Sequence, residues 1–411
     1  MNTTIINAES NPSLWKNNEQ PNNNSNPKSI EKIVKYFDLS KSNYKFSEYM
    51  KEAEQEKENE ECLYDDAIPT ENENKIKKLK WEKSLHFLKK IKNSYFILVY
   101  ENNIQISDNE LHKKKKLNIE EILINNVCIR EQNETIILCT KNSTKLLAFN
   151  NGELISEENI LEKASYSCAQ ISKDDVIICE EKGVFHYSTL FDITNEDKTP
   201  KTITDKSYRG AIAISENLVA IISNKNIDNG EDKLLIYNIY PNSIVGEIIG
   251  YSFNHHSNGL AVISNKKNKN KILLCSCKKN DKNGILYIYI EKDNPKFIEH
   301  FIDTNNFEVY CFSKLYIKVN KLFNYNNEEN ATDYILVGGF NQDKNQGSIK
   351  VYKAEDNEIT LTKNPYYDGI IKESKSPVNN IIQNENNKKI IIGNLDGCIY
   401  LVDTPDINDN E

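Results

Sequence analysis

The sequence is poor in glycine and almost free of arginine. Only 14 of its 411 residues are glycine, which argues against repeat folds that require a glycine pair in every repeat. Of 52 basic residues only Arg130 and Arg209 are arginines, and with the abundance of Lys, Asn and Ile this indicates an AT-rich coding bias. No apolar run approaches the ~18 residues that a membrane-spanning helix requires, so we expect no transmembrane segment.

Motifs for common catalytic and metal chemistry are also missing. The sequence contains no HExxH, no GxSxG, no P-loop, and no CxxC pair that would indicate a zinc finger or a thioredoxin-like site. Cys275 and Cys277 would share one face of a strand, but no further ligands follow at the spacing of a zinc site. We therefore interpret the nine cysteines as free thiols that mostly pack in the core, and we predict no metal and no cofactor.

Acidic residues outnumber basic ones, 61 against 52, which gives a formal net charge of −9. A protein that binds nucleic acid over its whole surface carries the opposite balance, so this class is disfavoured. The first residues are polar and contain no apolar segment of the kind that a secretory signal requires. We therefore predict an intracellular protein, in the cytoplasm by preference and in the nucleus as the alternative.

Two segments precede the regular part of the chain. Residues 1–28 are polar and Asn-rich, and such a composition cannot bury enough apolar surface to offset chain entropy, so we predict a disordered tail. Residues 29–74 are predicted to be a helical and charged extension followed by a linker. An apolar helical stripe at positions i, i+3, i+4 and i+7 comprises Ile30, Ile33, Val34 and Phe37. This stripe either packs on the protein itself or docks into a partner protein, and both alternatives stay open.

The pattern changes from about residue 75 onward. Apolar runs of four to seven residues alternate with loops rich in Asn, Asp, Lys and Gly, which is typical of strands and turns. A repeat is present, in which an apolar run and a polar loop precede a strand with alternating apolar positions. Such strands begin near residues 104, 146, 185, 234, 286, 349 and 399. Further short apolar stretches flank each pair, so each repeat predicts a four-stranded antiparallel sheet.

A four-stranded sheet of this size leaves its faces and edges open, whereas seven such sheets stacked around an axis cover one another. The segments 335–352 and 390–403 resemble strand–turn–strand units of the WD-repeat β-propeller family, in which ~40–45 residues form a blade. Neither Trp-Asp nor Gly-His is present, so the resemblance implies the fold rather than an activity, and the family's Asp–His hydrogen-bond network is not expected.

We therefore predict an all-β fold, a seven-bladed β-propeller of four-stranded antiparallel blades over residues 75–404. A short, partly helical N-terminal extension precedes it and a tail follows at residues 405–411. Few residues remain after the last blade's third strand, so its fourth strand must come from elsewhere. In the resembling family an N-terminal segment supplies it, and residues 76–82 are the candidate here. Asp396-Gly397 predicts a two-residue hairpin turn in which both residues have positive φ.

The one dense basic run comprises Lys113, Lys114, Lys115 and Lys116, and we place it in the loop between the third and fourth strands of the first blade. A solvated loop is the plain interpretation, and an RNA contact or a nuclear localisation signal is the functional one.

We predict a non-catalytic scaffold that binds other proteins through its rim loops and its N-terminal helix. The first alternative is an RNA-associated or ribosome-assembly propeller that uses the Lys113–Lys116 run. A hydrolase or lyase with a site in the central channel is less favoured, since a fold of this kind can host an enzyme without any motif seen here.

Overall fold

A computed structural model describes the strands and the shorter connections of this chain. The residues it describes are 5–6, 76–80, 85–91, 95–100, 103–108, 113–118, 124–130, 134–150, 152–172, 174–188, 199–223, 232–254, 257–264, 271–290, 297–315, 319–320, 334–353, 367–371, 375–384, 389–403 and 407–408. The predicted disordered tail and helical extension lie outside this set, except for Ile5 and Ile6, which form a two-residue strand. Among the described residues no helix has the length and apolar character needed to span a membrane.

Seven small antiparallel sheets of four strands account for nearly all of the described structure. This confirms the predicted all-β, seven-bladed β-propeller fold. We number the sheets one to seven in chain order, and we call the first strand of a sheet its inner edge and the fourth its outer edge. The strands of sheets one to four are, in order, Leu85–Ile91, Tyr95–Tyr100, Asn103–Ser107 and Lys113–Asn118; Ile124–Arg130, Thr135–Thr140, Thr144–Asn150 and Glu153–Leu161; Ser165–Gln170, Val176–Glu180, Gly183–Tyr187 and Lys201–Thr204; and Tyr208–Ala213, Leu218–Ser223, Leu234–Asn238 and Ser243–Ile248.

Sheets five and six carry additional short strands. In sheet five the first strand is split into Ser252–Phe253 and Leu260–Ser264, which both pair with the second strand. The remaining strands of sheet five are Lys271–Lys279, Lys282–Ile290 and Phe297–Asn305. Sheet six consists of Phe307–Leu315, Tyr334–Asn341, Gln346–Lys353 and Tyr367–Ile371, and Ile5–Ile6 pairs with the last of these strands. Sheet seven consists of Val378–Asn384, Lys389–Asn394, Cys398–Asp403 and Ile76–Lys80. Val319–Asn320 and Ile407–Asn408 form a separate parallel pair.

The chain divides into two compact units. One unit contains sheets one to five and consists of Leu85–Asn305 together with Val309–Cys311. The other contains sheet seven and most of sheet six, and consists of Met1–Ser84, Asn306–Glu308 and Phe312–Glu411.

The second strands form the centre of the core, and Thr135–Thr140 of sheet two is buried along its whole length. Alternate side chains of a strand point to opposite faces. Ile136 and Leu138 pack with residues of sheet one, whereas Ile137 and Cys139 pack with residues of sheet three. A fully buried aliphatic side chain contributes about 1.5–3 kcal/mol, so this strand is stabilised from both neighbouring sheets at once.

Hydrogen bonds also connect the inner edges of successive sheets. The Ser167 hydroxyl in sheet three accepts a hydrogen bond from Asn126 Nδ2 of sheet two at 2.8 Å and another from the backbone N–H of Ala211 in sheet four at 3.2 Å. The Thr144 hydroxyl, on the third strand of sheet two, donates to the Ser165 hydroxyl of sheet three at 2.8 Å. Buried polar groups of adjacent sheets therefore satisfy one another, which fixes the spacing of the sheets.

A partly buried Asp–His pair occurs in sheet three, although the sequence predicts no Asp–His hydrogen-bond network. His186 of the third strand lies 2.8 Å from a carboxylate oxygen of Asp175, which precedes the second strand. The Ser172 hydroxyl donates to the other oxygen of that carboxylate at 2.6 Å. These bonds hold the turn between the first two strands against the third strand.

The hairpin prediction at Asp396-Gly397 is wrong in part, because only Gly397 has a positive φ, of 84°. The N–H of Gly397 donates to the carbonyl of Asn394 at 3.0 Å, so a hydrogen-bonded turn ends in a left-handed glycine. Sheet five has a turn in which two consecutive residues, Asn280 and Asp281, have positive φ.

The glycine that begins the third-strand repeat in sheet five has a packing role. Gly284 lies inside a strand, where a Cβ would come within 2.3 Å of the Phe301 ring and 2.6 Å of the Ile302 carbonyl oxygen. Glycine is therefore required there by the close approach of the fourth strand.

Sheet seven is completed by a strand from the N-terminal side of the chain. Ile76–Lys80 pairs antiparallel with Cys398–Asp403, from Ile76 opposite Val402 to Lys80 opposite Cys398. The closing strand predicted at residues 76–82 is thus confirmed, with slightly shorter bounds.

Deletion of residues 76–80 leaves the third strand of sheet seven with an open edge. We expect the thermal midpoint to fall by about 10 °C or more, because several hydrogen bonds worth about 1 kcal/mol each are lost together with side-chain packing. Melting monitored by circular dichroism measures the change. Deletion of residues 65–69, which has the same length and lies in the predicted linker, should leave the midpoint unaltered. Equal midpoints for the two deletions would contradict a closing role for this strand.

Candidate functional site

A β-bulge recurs near the start of the first strand in five of the sheets. A bulge leaves one residue outside the ladder and re-aims its side chain. The residues at these bulges are His86, Asn125, Tyr166, Arg209 and Asn379. None of them is aliphatic. Asn379 is buried, Asn125 donates from Nδ2 to the Ser165 carbonyl of the next sheet at 2.8 Å, and Arg209 is the exposed one of the five. Such a repeated position is a candidate for ligand contact.

Sheet five has a larger irregularity at the corresponding place. Its first strand is interrupted between Phe253 and Leu260, and this interruption contains a 3-10 turn at Ser257–Gly259. Asn258 in the turn donates from Nδ2 to the backbone carbonyl of His86 at 3.3 Å. Its Oδ1 accepts a hydrogen bond from the Lys89 ammonium at 3.4 Å. Polar groups therefore bridge the inner edges of sheets one and five.

The half-buried amine of Lys89 lies near the side chains of three cysteines. Within the described part of the chain no carboxylate forms an ion pair with it, and Asn258 is its hydrogen-bond partner. Burial lowers the pKa of Lys89, while the neighbouring thiols of Cys128, Cys168 and Cys311 oppose this shift. The amine can therefore stabilise a negative charge that forms on one of these thiols.

Cys128 is the thiol that this arrangement activates. A hydrogen bond with the Cys168 thiol lowers the pKa of Cys128 to about 7; burial opposes the shift, and the positive charges of Lys89 and Arg130 support it. The pKa of Cys168 is raised well above its ordinary value, first of all by the same hydrogen bond. Cys128 is therefore the more readily ionised thiol of this pair. No group of three or more metal-binding side chains is present among the residues that the structure describes.

The outer edge of sheet four exposes apolar side chains. Tyr240, Ile244 and Ile249 are 63%, 51% and 52% exposed, and they lie on or beside the fourth strand, Ser243–Ile248. We call these three residues the sheet-four stripe. Asn217 fixes the backbone of Tyr240, because its Oδ1 accepts from the Tyr240 N–H at 2.8 Å and its Nδ2 donates to the Tyr240 carbonyl at 3.0 Å. A large aromatic side chain is thus exposed on an immobilised backbone.

The sequence predicts two sets of partner-binding residues, the apolar helical stripe and the lysine run, and the structure describes only the second. The apolar stripe of Ile30, Ile33, Val34 and Phe37 lies outside the described residues. The placement of Lys113, Lys114, Lys115 and Lys116 in a loop is wrong, because they belong to Lys113–Asn118, the fourth strand of sheet one. Lysine is common in exposed edge strands, where its charge prevents pairing with other chains. The run is therefore part of an outer edge.

Sequence reasoning missed Lys89, Tyr166, Arg209 and Tyr240 as site residues. The scarcity of arginine was a usable signal for Arg209. Nothing in the sequence marks Lys89, Tyr166 or Tyr240 as site residues. A polar or aromatic residue in a strand becomes a candidate only when a bulge, a turn or a neighbouring strand positions it.

Cys128 is expected to be the most reactive of the described thiols. The thiolate is the reacting species, so alkylation by iodoacetamide should rise with pH around a midpoint near 7. Cys275 is the matched control, since burial raises its pKa and it should stay unmodified in the folded protein. Replacing Lys89 by methionine should shift the Cys128 midpoint upward. Peptide mass spectrometry measures both sites, and equal alkylation rates at Cys128 and Cys275 would contradict this assignment.

The comparisons with known proteins assign no family to this chain, so the site is interpreted from its geometry alone. No protein-family model matches the sequence, and a search of curated proteins finds no match.

Proposed function

We propose that the protein is a non-catalytic protein-interaction scaffold of the WD-repeat-like propeller type that acts inside the cell. The sheet-four stripe carries this proposal. Tyrosine is enriched among the residues that dominate binding energy at protein interfaces. Exposed large apolar side chains that lie near one another mark interaction sites more often than isolated ones do.

The fixed backbone at Tyr240 supports the same proposal. Ordering a loop on binding costs free energy, and a backbone that is already held in place avoids part of that cost. The two hydrogen bonds from Asn217 hold the backbone of Tyr240. A partner that covers this ring therefore gains apolar burial at a low entropic cost.

Two further observations are consistent with the proposed class and location. The sequence repeats that resemble WD units coincide with the second and third strands of sheets six and seven. The eight described cysteines are all free thiols, as is usual for proteins of reducing compartments.

Affinity purification with quantitative mass spectrometry tests the scaffold. We expect a defined set of proteins that survives high-salt washing, and we expect Tyr240→Ala to weaken capture about thirtyfold, which corresponds to about 2 kcal/mol at an interface residue of this kind. Ile244→Asp should act similarly. Ile155→Asp is the matched control, since Ile155 is an even more exposed isoleucine, at 65%, on the fourth strand of sheet two.

The same experiment separates the RNA alternative. RNA that is recovered with the protein, released by salt and lost when Lys113–Lys116 are changed to alanine would favour that alternative. If Tyr240→Ala and Ile155→Asp retain the same proteins in the same amounts, the scaffold proposal based on the stripe fails.

A further inference from the structure

The outer edges of six sheets have features that hinder pairing with another strand. An exposed edge strand offers unpaired backbone groups, and a bulge or a lysine on it opposes the addition of a further strand. In sheets one to five the fourth strand is bulged where it pairs with the third. In sheet seven the fourth strand is regular, but three of its five residues are lysines, namely Lys77, Lys78 and Lys80.

The outer edge of sheet six has neither feature. Its fourth strand, Tyr367–Ile371, pairs with the third strand in an unbroken register, from Val351 opposite Tyr367 to Ser348 opposite Ile370. It contains no lysine, and Asp368 is its one charged residue. A regular edge with little charge is a template for a further strand.

A segment of this chain pairs with that edge. Ile5 lies opposite Ile371 and Ile6 lies opposite Ile370 in an antiparallel pair, and both strands belong to the same compact unit. Among the described strands, the fourth strands of the other six sheets have no outer neighbour. The chain therefore adds a strand at the one outer edge that has neither a bulge nor a lysine.

Ile5–Ile6 occupies this edge only in part. It covers two of the five residues of Tyr367–Ile371, and none of the described residues pairs with the other three on this side. In an antiparallel ladder alternate residue pairs exchange two hydrogen bonds, so two pairs supply about two bonds and five pairs supply about four to six. A longer strand can therefore displace Ile5–Ile6.

We propose that Tyr367–Ile371 accepts an extended segment of a partner protein, which carries two adjacent β-branched aliphatic residues, pairs antiparallel with this strand and displaces Ile5–Ile6. We call Tyr367–Ile371 the acceptor strand. The segment that pairs with it in this chain indicates the chemistry of the partner, since two isoleucines lie opposite Ile370 and Ile371. The sheet-four stripe belongs to a different sheet, so the acceptor strand goes beyond the scaffold proposal.

The register also assigns a basic residue to the partner. If the pairing of Ile5 and Ile6 is continued, the second residue after the aliphatic pair comes to lie opposite Asp368. At that place in the sequence this chain has Ala8. Lys350 of the third strand lies opposite Asp368 on the other side, so a lysine on the added strand continues an alternation of charge across the sheet. Opposite charges directly across a ladder are favourable.

Fluorescence anisotropy with the full-length protein tests the acceptor strand. The probe is the labelled peptide Thr-Ile-Ile-Thr-Lys-Val-Thr, in which lysine is the second residue after the aliphatic pair. Only molecules whose edge is free can bind it, so Ile6→Pro, which disrupts the two-residue strand, should tighten binding about threefold or more. Leu14→Pro is the matched control, since Leu14 lies outside the described residues, and it should leave binding unaltered.

Two N-methylated versions of the peptide show whether it binds as a strand. In an antiparallel ladder the N–H groups of alternate residues point to the same neighbouring strand. Methylation of one alternate set of nitrogens should therefore abolish binding, and methylation of the other set should change it by less than about threefold.

An exchange of charge tests the register. Asp368→Lys should weaken binding of the lysine peptide about threefold and tighten binding of the same peptide with glutamate in place of lysine by a similar factor. Glu299→Lys is the charge-matched control, because Glu299 is exposed on the bulged outer strand of sheet five, and it should alter neither affinity. Thermal melting of each variant verifies that it folds.

Three results would overturn the acceptor strand: no binding of the lysine peptide to the Ile6→Pro variant, equal effects of the two methylated peptides, or the same response of the lysine and glutamate peptides to Asp368→Lys. Dimers of the wild-type chain that are lost in Ile6→Pro would assign the edge to a second copy and would also overturn a partner strand. If the peptide fails to bind while Tyr240→Ala still weakens capture of partner proteins, only the acceptor strand is lost and the scaffold proposal is retained.

Discussion

The two apolar faces of every small sheet are the constraint on which the rest of the structure depends. In sheet two, neighbouring residues of the second strand pack in opposite directions, Ile136 with sheet one and Ile137 with sheet three. A sheet of four short strands cannot bury both faces by itself. Its stability must therefore come from its neighbours, and the same need explains why the last sheet takes Ile76–Lys80 as its fourth strand.

Stacking assigns different tasks to the two edges of a sheet. Inner edges lie close together, so their polar groups form hydrogen bonds between sheets, as Asn126 and Ser167 do. Their bulges also bring side chains of successive sheets into contact, as with Tyr166 and Arg209. Outer edges do not have to pack against one another in this way. The outer edge of sheet one contains lysines, and that of sheet four has exposed apolar side chains. Both candidate binding surfaces are thus attached to a core that holds them rigidly.

Strands could be predicted from the sequence where their side chains are fully buried, but not where their side chains are only partly buried. Tyr95–Tyr100 and Val176–Glu180 could be predicted as strands because burial on both faces requires an unbroken apolar run. Lys113–Asn118, a fourth strand, has no continuous apolar run, so the sequence predicts a loop there. The prominence of Tyr166 and Arg209 could not be predicted either, since the ladder register and not the composition decides which residue a bulge turns outward.

Native-state hydrogen exchange tests most directly whether the sheets are stable only as a stack. Amides of the second strands in Leu85–Asn305 should exchange through one common opening, with free energies that agree within about 1 kcal/mol, because each of these strands depends on both neighbouring sheets. The account would be contradicted if the second strand of one sheet kept its protection while those of the adjacent sheets had already exchanged, since that sheet would then be stable alone.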